Sequence, residues 1–100
     1  MAGLRGTDGV LDAVVLADGA AIARDALVLW PFQSQTSLVG SLGLSLDADG
    51  FVTVDAGFRT SRPGIYGAGD LLYGGHQNIN TAAHMGNLAA ATLVLDRALG

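Results

Sequence analysis

The sequence predicts an α/β fold, a β-hairpin and short strands followed by one long C-terminal helix. Three observations carry that prediction. "GVLDAVVLADGAAIARDALVLW" (9–30) alternates apolar and small residues around Asp18-Gly19, a pair suited to positive φ in a tight hairpin turn. "FVTVD" (51–55) is a short alternating strand. From about Asn78 to Leu99 the chain reads as continuous helix, with Ile79, Ala82, Ala83, Gly86, Ala90, Leu93 and Val94 near one face.

In order, Val14 and Leu16 lead into the Asp18-Gly19 turn and Ile22 follows on the return strand. Leu27 to Trp30 is an apolar run that ends at Pro31, which cannot donate to a ladder, and it reads as a buried strand leaving its sheet. "QTSLVGSLGLSL" supplies one or two helical turns, with Thr36 or Ser37 as N-cap and Gly43 as stop. "DADG" (47–50) is a turn. "GFRTSRPG" is a polar loop in which Pro63-Gly64 sets a turn before the short strand at Ile65 and Tyr66. The segment after Asp70, "LLYGGHQ", reads as irregular. Ala82, Ala83 and Gly86 are small enough to let the first turns of the last helix approach another backbone or a flat ligand.

Composition removes several classes of function. Half the residues are hydrophobic and 14% charged, too apolar for a disordered chain. A net charge of -4 with no basic stripe argues against nucleic acid. The absence of Cys excludes a disulfide framework, a thiolate zinc site or a redox dithiol in this chain. No apolar run reaches the roughly 18 residues of a membrane span, and the start has no signal-peptide pattern. The expectation is a cytoplasmic chain that meets neither membrane nor nucleic acid.

"SLDADGFVTVDA" places Asp47, Asp49 and Gly50 as in a calcium loop, but its twelfth position is Ala56 where a bidentate Glu is needed; a β-turn is the better reading. "GAGDLLYGG" starts like a dinucleotide fingerprint, yet Leu72 stands where the third glycine belongs. His76 and His84 have no zinc spacing, so no metal site is expected, and no G-x-S-x-G elbow is present. What remains is "TSRPGIYGAGD" (60–70): a turn, a short apolar strand, glycines without side chains, and one carboxylate. Such a strand end lets an extended ligand pass close to the backbone, and Asp70 could accept from its hydroxyls.

That stretch resembles the second flavin-binding motif of the FAD-dependent pyridine nucleotide-disulfide oxidoreductases, commonly T-S-x-P-G-[IV]-[FY]-A-x-G-D; only Gly67 departs, where Ala is usual. Downstream, "HQNINTAAHMGNLAAATLVLDRAL" is similar to the thioredoxin-reductase branch, and the hairpin with "DALVLW" resembles the tail of that branch's NAD(P)-binding domain. The resemblance implies a partial Rossmann-like FAD-binding domain, with residues 1–30 as the tail of the NAD(P) domain and 31–100 as the C-terminal portion of the FAD domain. It implies FAD as cofactor and NAD(P)H as electron donor of the complete enzyme. Asp70 would hold the ribitol with Gly69 giving close backbone approach. Gln77 and Asn78 would offer N–H groups near the pyrimidine edge of the isoalloxazine, and His76 stands at a position often held by Arg. The glutathione-reductase branch is disfavoured, because its C-terminal His–Glu dyad needs a Glu and this chain has none.

The first flavin motif, the nucleotide fingerprint and the C-x-x-C of thioredoxin reductases are all missing, so no catalytic residue is expected here. The chain resembles the C-terminal third of such an enzyme. The expected partners are a complementary flavin-domain chain or further copies of itself. The rival expectation is a non-catalytic interaction module or gene remnant derived from that family.

Overall fold

The computed structural model describes residues 1–30, 32–73 and 77–100. It forms two units, Met1–Phe32 and Gln33–Gly100.

The first unit is a three-stranded antiparallel meander of β1 (Gly3–Thr7), β2 (Val10–Val15) and β3 (Ala21–Ala23), in the order β1-β2-β3. β1 is an element not anticipated above. Its turn is Asp8-Gly9, with φ of 52° and 81°, the paired positive φ that a two-residue hairpin with right-handed strand twist requires. The expected Asp18-Gly19 turn is present but of another type. Only Gly19 has positive φ (87°), Gly19 N–H donates to Leu16 O at 3.0 Å, and Leu16 N–H donates to Ala20 O at 2.8 Å. That is a three-residue loop whose last residue is left-handed, and Asp18 Oδ1 tightens it by accepting from Ala20 N–H at 2.9 Å.

The β1–β2 register steps between Arg5, opposite Ala13, and Gly6, opposite Leu11, leaving Asp12 as the extra residue of a bulge. Gly6 is obligatory there, since a Cβ would lie 2.5 Å from the Val10 carbonyl oxygen. Asp12 is held by Thr7 Oγ1, which donates to its carboxylate at 2.7 Å.

Leu27–Trp30 is not a strand. These four residues carry no ladder and are exposed, Val28 to 96%. Apolar side chains favour a strand only where a neighbour takes up the backbone N–H and C=O groups, and none does so among the described residues.

In the second unit, α1 (Ser37–Ser41) is one helical turn that starts from Thr36 and ends near Gly43 (φ 63°), as anticipated. Two tight loops follow. The first closes through the bridge Leu46–Val52, with Asp47 Oδ1 accepting from the N–H groups of Asp49 and Phe51, both at 2.9 Å. Asp47 is therefore a turn residue. The second closes through Arg59–Tyr66, supported by Thr60 N–H to Ile65 O at 3.0 Å and Gly67 N–H to Phe58 O at 3.0 Å. The segments read as strands at 51–55 and 65–66 are thus single bridges rather than ladders. Their alternation is nonetheless real: Val52 is buried while Thr53 is exposed.

α2 (Ile79–Leu99) is the long helix, with Asn78 as N-cap; Asn78 Oδ1 accepts from Thr81 N–H at 2.9 Å. The inward stripe differs from the expected one. Ala89 is buried and Ala82, Met85, Gly86, Thr92 and Asp96 are half-buried, whereas Ile79, Ala83, Ala90 and Val94 are exposed. Apolar residues surround this helix on every side, so sequence period alone could not select its packed face. The core of the unit is small: Val52, Leu72 and Ala89 with the buried Gly67 backbone.

Candidate flavin-binding site

The site is built where the turn that follows Tyr66-Gly67 meets the start of α2. Gly67 is closely surrounded by side chains. A Cβ there would lie 3.3 Å from methyl carbons of Val54, Leu71 and Leu72. Ala68 is extended (φ -150°, ψ 161°), and at Gly69 the chain turns left-handed (φ 80°) into a single 3-10 turn, Gly69–Leu71. This turn packs on α2: a Cβ on Gly69 would stand 3.5 Å from the Ala82 Cβ. The expectation that Ala82 permits close backbone approach is met here, by the chain's own backbone.

The turn is pinned by its carbonyls. Gln77 Nε2 donates to Asp70 O at 2.9 Å, and Leu71 O accepts from Val52 N–H at 2.9 Å and Gln35 Nε2 at 3.2 Å. Asp70 itself is exposed, and nothing among the described residues hydrogen-bonds its carboxylate. Together with Gln35, Thr36, Val39 and Leu71, it lines an open groove of about 300 Å³.

Of the five residues expected from sequence, the structure gathers four. Gly69 and Asp70 form the turn, Gln77 donates to it, and Asn78 caps the helix that starts beside it. His76 lies outside the described residues. Ala82 N–H donates to Asn78 O at 3.0 Å as the first intrahelical bond, so the N–H groups of Ile79 and Asn80 have no intrahelical acceptor. They present the positive end of the α2 dipole beside the Asp70 turn.

A hydroxylated, anionic cofactor calls for a carboxylate not already committed and a helix N-terminus, and both stand here, Asp70 at the wall of the groove and the start of α2 beside its turn. The side of Gly69 that a Cβ would occupy faces Ala82. Gln35 belongs to this site and escaped sequence reading; its partner is 36 residues away, a separation that no local pattern signals.

A second polar cluster lies at the other end of α2. Arg59 Nε and Nη2 donate to the two oxygens of Asp96, each at 2.6 Å, and Tyr66 OH donates to Asp96 Oδ2 at 2.6 Å. Arg59 Nη1 also reaches Asp55 at 3.3 Å. The Arg59 guanidinium, and then the Tyr66 hydroxyl, hold the Asp96 carboxyl down to about 2. The same bond to Asp96 raises the Tyr66 phenol, and Asp96 followed by Asp55 raises Arg59. Asp55 is lowered, first by the Arg59 backbone N–H. Every charge here is answered by another, so the cluster fastens α2 to the second loop and leaves no group poised for chemistry. Among the described residues no group of acids and histidines could hold a metal. No helix among them is long and apolar enough to cross a membrane.

Comparison with known proteins defines the class. The sequence profile of the pyridine nucleotide-disulphide oxidoreductases matches residues 2–86. The chain belongs to this family, and its sheet and long C-terminal helix are a partial Rossmann-like α/β fold of that class. Among its relatives is the ferredoxin–NADP reductase of Rhodospirillum rubrum, 36% identical in a 95-residue alignment that covers 81% of this chain and 28% of the relative. The soluble pyridine nucleotide transhydrogenase of Pseudomonas putida strain W619 is 36% identical in an 85-residue alignment that covers 81% of this chain and 18% of the relative. That of Pseudomonas entomophila is 36% identical in a 95-residue alignment that covers 89% of this chain and 20% of the relative. The chain thus spans less than a third of the length of these relatives. No solved structure matches it significantly.

Proposed function

We propose that this chain is the FAD-binding C-terminal portion of a thioredoxin-reductase-like, NAD(P)H-dependent flavoprotein oxidoreductase. In this reading its activity depends on the other flavin motif, carried by an N-terminal region or by a complementary chain. The observation that supports this most is the Asp70 carboxylate, uncommitted among the described residues, on a turn made left-handed at Gly69 and packed against the first turns of α2. In the complete enzyme FAD would supply the hydride-accepting and electron-passing chemistry. This chain's residues would do the holding: Asp70 accepts from the ribitol, Gly69 lets the cofactor approach, and the N–H groups about Gln77 and Asn78 face the pyrimidine edge. His76, at a position often held by Arg in the family this stretch resembles, lies outside the described residues.

Names among the relatives support a pyridine-nucleotide reaction; ferredoxin and a second nucleotide stand beside a disulfide as electron acceptors. The test is co-expression with an adjacent reading frame that carries G-x-G-x-x-G. A yellow complex in which Asp70→Ala releases flavin supports the reading. A complex that forms without flavin favours the second reading, an interaction module, for which the exposed Val28, Trp30 and Phe32 are the supporting observation.

A further inference from the structure

The geometry points to Gln35 as a positioning residue that sets Asp70 for its ligand; this rests on the flavin reading above. Two glutamine amides grip consecutive carbonyls of the 3-10 turn, Gln77 on Asp70 O at 2.9 Å and Gln35 on Leu71 O at 3.2 Å. They come from opposite directions in the chain, one from the segment before α1 and one from the start of α2. Val52 N–H is the other donor to Leu71 O, so that carbonyl takes two bonds and the turn can neither rotate nor slide without breaking one.

The consequence is a division of labour. Neither amide touches the Asp70 carboxylate. Both satisfy the backbone around it, and the carboxylate is left for a ligand. A turn with Gly69 at φ 80° has many accessible alternatives in a glycine-rich chain, and bonds to its carbonyls select one of them. Gln35 also shares the groove with Asp70, so the residue that orients the acid is at the wall of the space the ligand enters. A carboxylate held in advance binds hydroxyl groups more tightly than one that must be ordered on binding.

The experiment uses the 100-residue chain itself, with FAD up to millimolar concentration followed by amide chemical shifts of Asp70, Leu72 and Val39. Parent, Gln35→Ala, Gln35→Asn, Asp70→Ala and the Gln35→Ala/Asp70→Ala double variant are compared. Gln35→Ala is expected to weaken FAD about three- to tenfold, the yield of one hydrogen bond. In the Asp70→Ala background the same change should do almost nothing, because its effect passes through that carboxylate. Gln35→Asn, which keeps the amide on a shorter stem, should recover part of the loss.

A merely structural Gln35 would instead weaken both backgrounds alike, and that additivity overturns the inference. So does unchanged affinity in Gln35→Ala while Asp70→Ala binds more weakly. A parent without shifts overturns the inference, because Asp70 in this chain then holds no ligand for Gln35 to set; if Asp70→Ala binds FAD as the parent does, the flavin reading falls as well.

Discussion

Adding one methyl group at each of two glycines should move stability in opposite directions. Gly69 has φ 80°, and a Cβ there would meet the Ala82 Cβ at 3.5 Å, an ordinary contact. The cost of Gly69→Ala is therefore conformational rather than steric, about 1–2 kcal/mol for an L-residue held left-handed. Gly86 lies inside α2, has no neighbour within 4 Å of an added Cβ, and is not left-handed. Gly86→Ala should gain about 0.5–1 kcal/mol by removing a glycine from a helix interior. The two variants should thus differ by roughly 2 kcal/mol, or about thirtyfold in the folded-to-unfolded ratio. Urea unfolding followed by the helical signal of α2 measures this. Hydrogen exchange at Leu72, whose N–H donates to Gly69 O at 3.1 Å, should accelerate in Gly69→Ala only. A Gly69→Ala chain as stable as the parent would refute the left-handed turn. A loss in Gly86→Ala would mean that another surface packs on that glycine.

Four further outcomes follow from the same geometry. The chain purified alone should be colourless and should not oxidise NAD(P)H, since it has no G-x-G-x-x-G; an absorbance spectrum of a stoichiometric yellow monomer would contradict this. In a reconstituted complex Asp70→Ala should weaken flavin about ten- to a hundredfold, the loss of a charge-assisted bond, while Asp49→Ala should leave flavin titrations unchanged. Asp96 has a folded pKa of about 2 against an ordinary 3.8, so its contribution to stability is complete above 3.8 and disappears as pH falls through 2; helicity of the last turns of α2 should follow that window and lose it in Asp96→Asn. Tyr66 is raised, so its contribution is complete below its ordinary value of 10.0 and is lost as pH rises through the higher folded value; ultraviolet titration should show it returning towards 10.0 in Asp96→Asn.

What could be read from sequence was local. α2 was placed within a residue because Asn78 is an N-cap by chemistry and the residues after it are good helix formers. The glycines of "GAGD" announced a stripped strand end, and Gly69 and Gly67 prove to be where a side chain would strain or crowd the turn. The Asp47 turn followed from its Asp-x-Asp-Gly spacing. What sequence could not supply was pairing at a distance. Arg59 and Asp96 meet across 37 residues, and Gln35 meets the Leu71 carbonyl across 36. Leu27–Trp30 failed for a related reason: apolar character marks a segment that wants a neighbour, not whether the neighbour is present. The Asp8-Gly9 hairpin was legible and was missed, since the same dipeptide logic applied to Asp18-Gly19 describes it better.

Ile79, Leu95 and Leu99 on α2 are exposed, while the side that packs uses Ala82, Met85 and Ala89. A helix that leaves Ile79, Leu95 and Leu99 open and packs through two alanines and one methionine has more apolar surface than the small core here covers. Asp70 shows the same imbalance in polar form, because two amides grip its turn, at Asp70 O and Leu71 O, and nothing among the described residues holds its carboxylate. Both features are accounted for together if the flavin reading is correct: a complementary flavin-domain chain covers α2, and the cofactor held between them takes up the carboxylate. Hydrogen exchange distinguishes this from a surface that only self-associates. A complementary chain with FAD should protect the first turn of α2 and the Asp70 turn together. Self-association should protect the outer face of α2 and leave the Asp70 turn as it was.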